Sequence, residues 1–141
     1  MNSAILKLFY RLTKKIYRKL KTLRYGIMSK VDSNILRNKL IALGLKENMN
    51  IYVHSSLSSF GYIENGPNTV IEVLKDIIKE GTIMMPAFTN PKKDFTLNEQ
   101  CWTGIISETF RKQKTVKRSI HPTHSVACYG KFSPYLTKNH E

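Results

Sequence analysis

Asn50-Ile-Tyr-Val-His-Ser-Ser-Leu-Ser-Ser-Phe-Gly61 reads as a short β-strand that runs straight into a polar loop. Ile51, Tyr52 and Val53 are strand formers, and the serines after His54 end the run. Downstream, Glu64-Asn-Gly-Pro67 has turn chemistry, and Pro67 suits the first turn of a helix. From Asn68 to Lys79 the apolar residues Val70, Ile71, Val73, Leu74, Ile77 and Ile78 mark a helix buried on a broad face. Gly81 ends it, and Thr82-Ile-Met-Met85 is a second strand before Pro86. Upstream, Asp32 and Ser33 are good N-caps for a helix carrying Ile35, Leu36, Leu40 and Leu43, with Gly44 as its stop. After Pro86 the chain is irregular to about Trp102, and Ile105 to Lys112 reads as a short helix. Val116 to Ile120 and Ser125 to Tyr129 read as strand-like pieces around His121-Pro122, and Thr137 to Glu141 has no regular reading. Alternating helices and strands predict an α/β fold with helices packed on a mixed or parallel sheet. In such sheets the loops leaving the C-terminal strand ends form the binding crevice. That places Ser55–Ser59 and the residues after Met85 at a crevice.

A chain of 141 residues with 41% apolar residues holds one domain with a core. The net charge of +13 is unevenly spread: residues 1–31 carry nine Lys or Arg and no acid, and residues 32–141 carry fourteen basic against ten acidic residues. This divides the chain into a basic head, 1–31, and a mildly basic body, 32–141, and argues against a nucleic-acid face over the whole domain. In the head, Ile5, Phe9, Leu12, Ile16, Leu20, Leu23 and Ile27 recur at helical spacing. A cationic amphipathic helix over residues 5–28 suits peripheral contact with an anionic membrane. It equally suits packing on the same protein or a partner subunit. Two unpaired cysteines, Cys101 and Cys128, fit a reducing cytoplasm, and no apolar run reaches membrane-spanning length.

Two loops carry the chemistry. His54-Ser-Ser-Leu-Ser-Ser-Phe-Gly61 offers hydroxyls and backbone N–H groups to a phosphate or to the amides of an extended ligand. Arg118-Ser-Ile-His-Pro-Thr-His-Ser125 sets two histidines, a threonine and a serine around a stiff Pro122. The His-x-x-His spacing is not expected to hold a metal, because Pro122 bars a continuous helix and neither cysteine comes as a pair. A Ser–His hydrolase lacks its Gly-x-Ser-x-Gly turn here.

Val53-His-Ser-Ser-Leu-Ser-Ser-Phe-Gly61 resembles the first signature of the aminoglycoside 3-N-acetyltransferase family. The spacing to Gly66-Pro-Asn-Thr-Val70 and to Glu80-Gly-Thr-Ile-Met-Met-Pro86 is similar too. Val116-Lys-Arg-Ser-Ile-His-Pro-Thr-His-Ser-Val-Ala127, closing at Gly130, resembles the second signature, and His140-Glu141 the next short pair. The resemblance runs over about residues 33–141. It implies an α/β fold that binds acetyl-coenzyme A and acetylates an amine of an aminoglycoside or amino sugar. It implies cofactor contacts at Ser55, Ser56 and Leu57 beside the pantetheine arm, and at Arg118 through a phosphate. It implies a cleft shaped by His54, His121, Thr123, His124 and Ser125. The family's general base lies in a His-x-x-Glu-type motif further downstream, so the chain is expected to be an N-terminal portion without that base. A non-catalytic remnant that at most binds cofactor or a partner is the alternative.

Overall fold

The structure, a computed structural model, describes Ile16, Leu20, residues 30–92, residues 94–138 and His140. The amphipathic reading of residues 5–28 otherwise falls outside the described residues. A two-residue strand β1 (Lys30–Val31) precedes helix α1 (Ser33–Ala42). The Asp32 side chain caps α1 by accepting from the Ile35 N–H at 2.8 Å, satisfying one of its orphan donors. Strand β2 (Asn50–Tyr52) leads to a 3-10 turn, Leu57–Ser59, and a short β3 (Tyr62–Ile63). β3 pairs in parallel with β1, setting Lys30 opposite Tyr62 and Val31 opposite Ile63.

Helix α2 (Pro67–Ile78) starts at Pro67 and buries Val70, Ile71, Val73, Leu74, Ile77 and Ile78, the face its periodicity announces. Strand β4 (Thr82–Pro86) follows, then the long 87–104 loop, helix α3 (Ile105–Arg111), β5 (Lys117–Arg118), β6 (Val126–Gly130) and α4 (Ser133–Lys138). The main sheet has order β2-β4-β6-β5. β2 and β4 are parallel; β6 is antiparallel to both β4 and β5. The sheet is therefore mixed. Residues 116–120 reduce to a two-residue strand, and α4, which no sequence reading anticipates, ends within the stretch from Thr137 that has no regular reading.

The core lies between α2, α3 and the sheet, with Ile71, Ile78, Ile83, Met85, Phe110 and Ala127 fully buried. Gly81 and Gly130 let strands close at the end opposite the loops. A Cβ on Gly81 would meet the Met49 carbonyl, and one on Gly130, at φ +101°, would meet the Gly81 carbonyl. Among the described residues no helix is long and apolar enough to cross a membrane.

Candidate active site

Because β2 and β4 run together and β6 runs against them, the ends of β2 and β4 and the start of β6 lie on one side. Three loops gather there: 53–61, 87–104 and 119–125. This is the crevice position of an α/β sheet.

In the first loop the Ser55 hydroxyl is buried with no hydrogen-bond partner among the described residues. A buried hydroxyl without a partner costs about 1–3 kcal/mol, which makes Ser55 a candidate contact for a ligand atom. Ser56 is extended ahead of the 3-10 turn, and its hydroxyl lies 3.0 Å from that of Ser58. Leu57 packs on the apolar core close to Gly66, so what it turns to a ligand is its backbone. His54 takes a different place. Its ring meets Tyr52 edge-on at 4.5 Å, and both line a surface groove of ≈380 Å³ with Leu40, Leu43 and Ile51. β4 separates β2 from β6, so His54 stands at the outer sheet edge, away from the expected cleft.

The middle loop joins the other two. Gly104, at φ +120°, comes close to the Ser55 carbonyl, which would lie 3.8 Å from a Cβ there. Thr103 donates to the Pro86 carbonyl at 2.7 Å, and the Trp102 indole N–H donates to the Thr89 carbonyl at 3.0 Å. Thr89 in turn donates to the Pro122 carbonyl at 2.5 Å. The Phe88 ring lies 5.0 Å from His124 and 5.9 Å from Trp102, whose surface is 68% exposed.

In the third loop His121, His124 and His140 form a cluster. His121 stacks on His140 at 5.0 Å, and His124 meets His121 edge-on at 5.4 Å. His124 Nδ1 is 2.8 Å from the Thr123 hydroxyl, and His140 Nδ1 is 2.9 Å from the Ser119 hydroxyl. Burial and the neighbouring His121 and His124 lower the pKa of His140.

Two expectations change here. Ser125 is fully buried; its hydroxyl donates to the Ala87 carbonyl at 2.6 Å and accepts from Arg118 Nε at 3.1 Å. It therefore supports the cleft from behind. Arg118 also donates from Nη1 to the Leu97 and Glu99 carbonyls, at 2.8 and 2.6 Å, and from Nη2 to the Ala87 carbonyl at 2.7 Å. Of five N–H donors one remains, so the fork a phosphate would need is already occupied by backbone. Burial, with Arg111 nearby, lowers its pKa. Phe88, Thr89, Trp102, Gly104, Ser119 and His140 enter the site without having been singled out in sequence. Of these, Ser119 lies in the second matching motif and His140 in the third; the others had no signal.

The arrangement offers an unsatisfied hydroxyl and free amides on one wall, imidazoles on another and an aromatic surface between them. The aminoglycoside 3-N-acetyltransferase family profile matches residues 52–141. The chain is 35% identical over 128 residues to YokD, an SPbeta prophage-derived aminoglycoside N(3')-acetyltransferase-like protein of Bacillus subtilis (strain 168), covering 72% of this chain and 47% of the relative. It is 30% identical over 143 residues to aminoglycoside N(3)-acetyltransferase VII of Streptomyces paromomycinus, covering 82% and 50%. The solved structure of AAC-IIIb in binary complex with CoASH superposes with a TM-score of 0.75 at 24% identity, over 80% of this chain and 51% of that one. The chain spans about half the length of the curated relatives it matches. On the profile and the identities together, the chain belongs to the aminoglycoside 3-N-acetyltransferase family.

Proposed function

We propose that the chain forms the cofactor side of an acetyl-coenzyme A-dependent N-acetyltransferase whose acceptor is an amine of an aminoglycoside or amino sugar. The buried, partnerless Ser55 hydroxyl carries this reading. It lies where the parallel strand β2 delivers its loop, at the crevice end of the sheet. Bound acetyl-coenzyme A would supply an activated acetyl thioester. Ser55 and the backbone of Ser56 and Leu57 would hold the amides of its extended arm, since no described residue accepts from their N–H groups. The His121–His124 loop would form the facing wall, with Thr123 holding His124 in orientation. His121 and His124 spend Nδ1 on backbone amides and on the Thr123 hydroxyl. Two backbone N–H groups occupy the Nδ1 lone pair of His121, so that ring is not assigned as the base that deprotonates the acceptor.

Isothermal titration of coenzyme A into the chain tests the reading. Binding that Ser55→Ala weakens is the expected result; no binding refutes it. A thiol-release assay with acetyl-coenzyme A and an aminoglycoside separates catalysis from the non-catalytic alternative. A cytoplasmic location and peripheral membrane contact through residues 5–28 are proposed as well, the contact supported by the eight Lys or Arg among those residues. Flotation with anionic but not neutral vesicles is the outcome expected for that contact.

A further inference from the structure

His121 differs from its two neighbours in what its ring nitrogens do. Nδ1 of His121 accepts from two backbone N–H groups, that of Thr123 at 3.2 Å and that of His124 at 2.9 Å. A backbone N–H can only donate, so both contacts require a lone pair on Nδ1. The ring's one proton then sits on Nε2. A proton on Nδ1 would face two N–H groups already pointing at it and strip both of their acceptor. The turn that folds these amides back over the side chain is built in: Pro122 restricts the backbone, and Thr89 holds its carbonyl. Two further imidazoles face the ring, His124 from the same loop and His140 from beyond α4. Nε2 has no hydrogen-bond partner among the described residues, and the ring is only partly buried.

We propose that His121 acts as a fixed, neutral hydrogen-bond donor, its Nε2–H presented to an acceptor oxygen of the bound cofactor, and that it does not act as a base. The proposal rests on the acetyl-coenzyme A reading above. A base needs a free lone pair, and the loop consumes the only one this ring has. A preset N–H donor in a partly dry cleft is the kind of group that holds a carbonyl or phosphate oxygen.

Long-range proton–nitrogen NMR of the nitrogen-labelled chain near neutral pH reads the tautomer directly, with or without ligand. The expected spectrum shows His121 protonated on Nε2 alone. Added coenzyme A should shift the Nε2–H signal. Pantetheine alone and the adenosine bisphosphate portion alone then tell an arm carbonyl from a phosphate as the acceptor. His121→Asn keeps an acceptor oxygen near the Nδ1 position but places no N–H at the Nε2 position, and should weaken coenzyme A binding about fivefold. An Nδ1–H or doubly protonated ring overturns the proposal whatever coenzyme A does. So does an unshifted Nε2–H signal in a chain that demonstrably binds coenzyme A. Absence of coenzyme A binding overturns the proposed function first, and the donor role with it.

Discussion

Glu108→Gln removes one charge from a buried network and leaves the side-chain volume nearly unchanged. Glu108 is 6% exposed and accepts from Arg111 Nε at 2.6 Å, Arg111 Nη2 at 2.7 Å and the Cys101 N–H at 3.0 Å, with Lys112 Nζ at 2.9 Å. Burial pushes its carboxyl up, but the hydrogen bonds from Arg111, Lys112 and the Cys101 amide outweigh it and bring it from 4.5 to about 2. At about 1.4 kcal/mol for each tenfold change in affinity for the proton, that fall corresponds to about 3 kcal/mol of stability. The folded carboxyl is the stronger acid, so the unfolded chain takes up the extra proton. The contribution is complete above about pH 4.5 and is lost as the pH falls toward 2. Glutamine leaves Arg111, whose side chain is 5% exposed, without its counter-charge. The variant should therefore lose about 3 kcal/mol near neutral pH, and the gap to the wild type should narrow steadily below about pH 4. Urea unfolding followed by far-ultraviolet circular dichroism across this range measures both. A gap of the same size at neutral and acid pH would refute the electrostatic account and leave only lost packing.

Three other outcomes are expected. Gly130→Ala should cost about 3 kcal/mol or more, because strain at φ +101° adds to a collision with the Gly81 carbonyl. Gly44→Ala, at φ +98° with nothing within 4 Å, should cost about 1 kcal/mol, and equal losses in the two variants would contradict the packing argument. Burial raises the pKa of both thiols, that of Cys128 to about 12, so an aromatic disulfide reagent should label neither until guanidinium unfolds the chain; rapid labelling of the native chain counts against this. Arg118→Lys keeps the charge but not the planar donor set, so the 87–104 loop should be cut faster in limited proteolysis and stability should fall by about 2 kcal/mol; an unchanged cleavage rate would show that the loop is held elsewhere.

Helix α2 and strand β4 were legible in the sequence because each is long enough for its period to show, and because Pro67 and Gly81 punctuate them. β1 and β3 are two residues each, too short for any period, and exist only because they pair with each other. α4 carries Pro134 early in the helix, a start signal that its weak apolar pattern hides. The direction of β6 is invisible to element order: an alternation of helices and strands suggests parallel strands, whereas β5 and β6 form an antiparallel pair around the histidine loop. The loops were legible as composition, and their residues' roles were not. His54 adjoins Ser55 in sequence, but strand alternation sends it to the Tyr52 side of β2. Arg118 and Ser125 look like ligand groups until the carbonyls that occupy them are known, and those carbonyls come from a loop without periodicity.

That same loop explains why the site depends on buried charge more than on apolar packing. Three successive carbonyls, those of Leu97, Asn98 and Glu99, are held by two guanidinium groups: Arg118 takes the first and third, and Arg111 takes Asn98 at 3.3 Å. Arg111 is positioned by Glu108, which also accepts from Cys101, the residue before Trp102. One carboxylate thus anchors the far end of the segment that delivers Trp102, Thr103 and Gly104 to the crevice, and its arginine partner anchors the middle. Phe88 and Thr89, at the near end, are tied to the histidine loop through His124 and Pro122. A perturbation of Glu108 should therefore reach the imidazole wall through a loop that touches both, beginning at the buried Cys101. Trp102 is the only tryptophan in the chain, so its emission reports that displacement directly. A Glu108→Gln variant with an unchanged Trp102 spectrum at neutral pH would show that the loop holds its shape without the carboxylate, and that Arg118 alone sets the crevice.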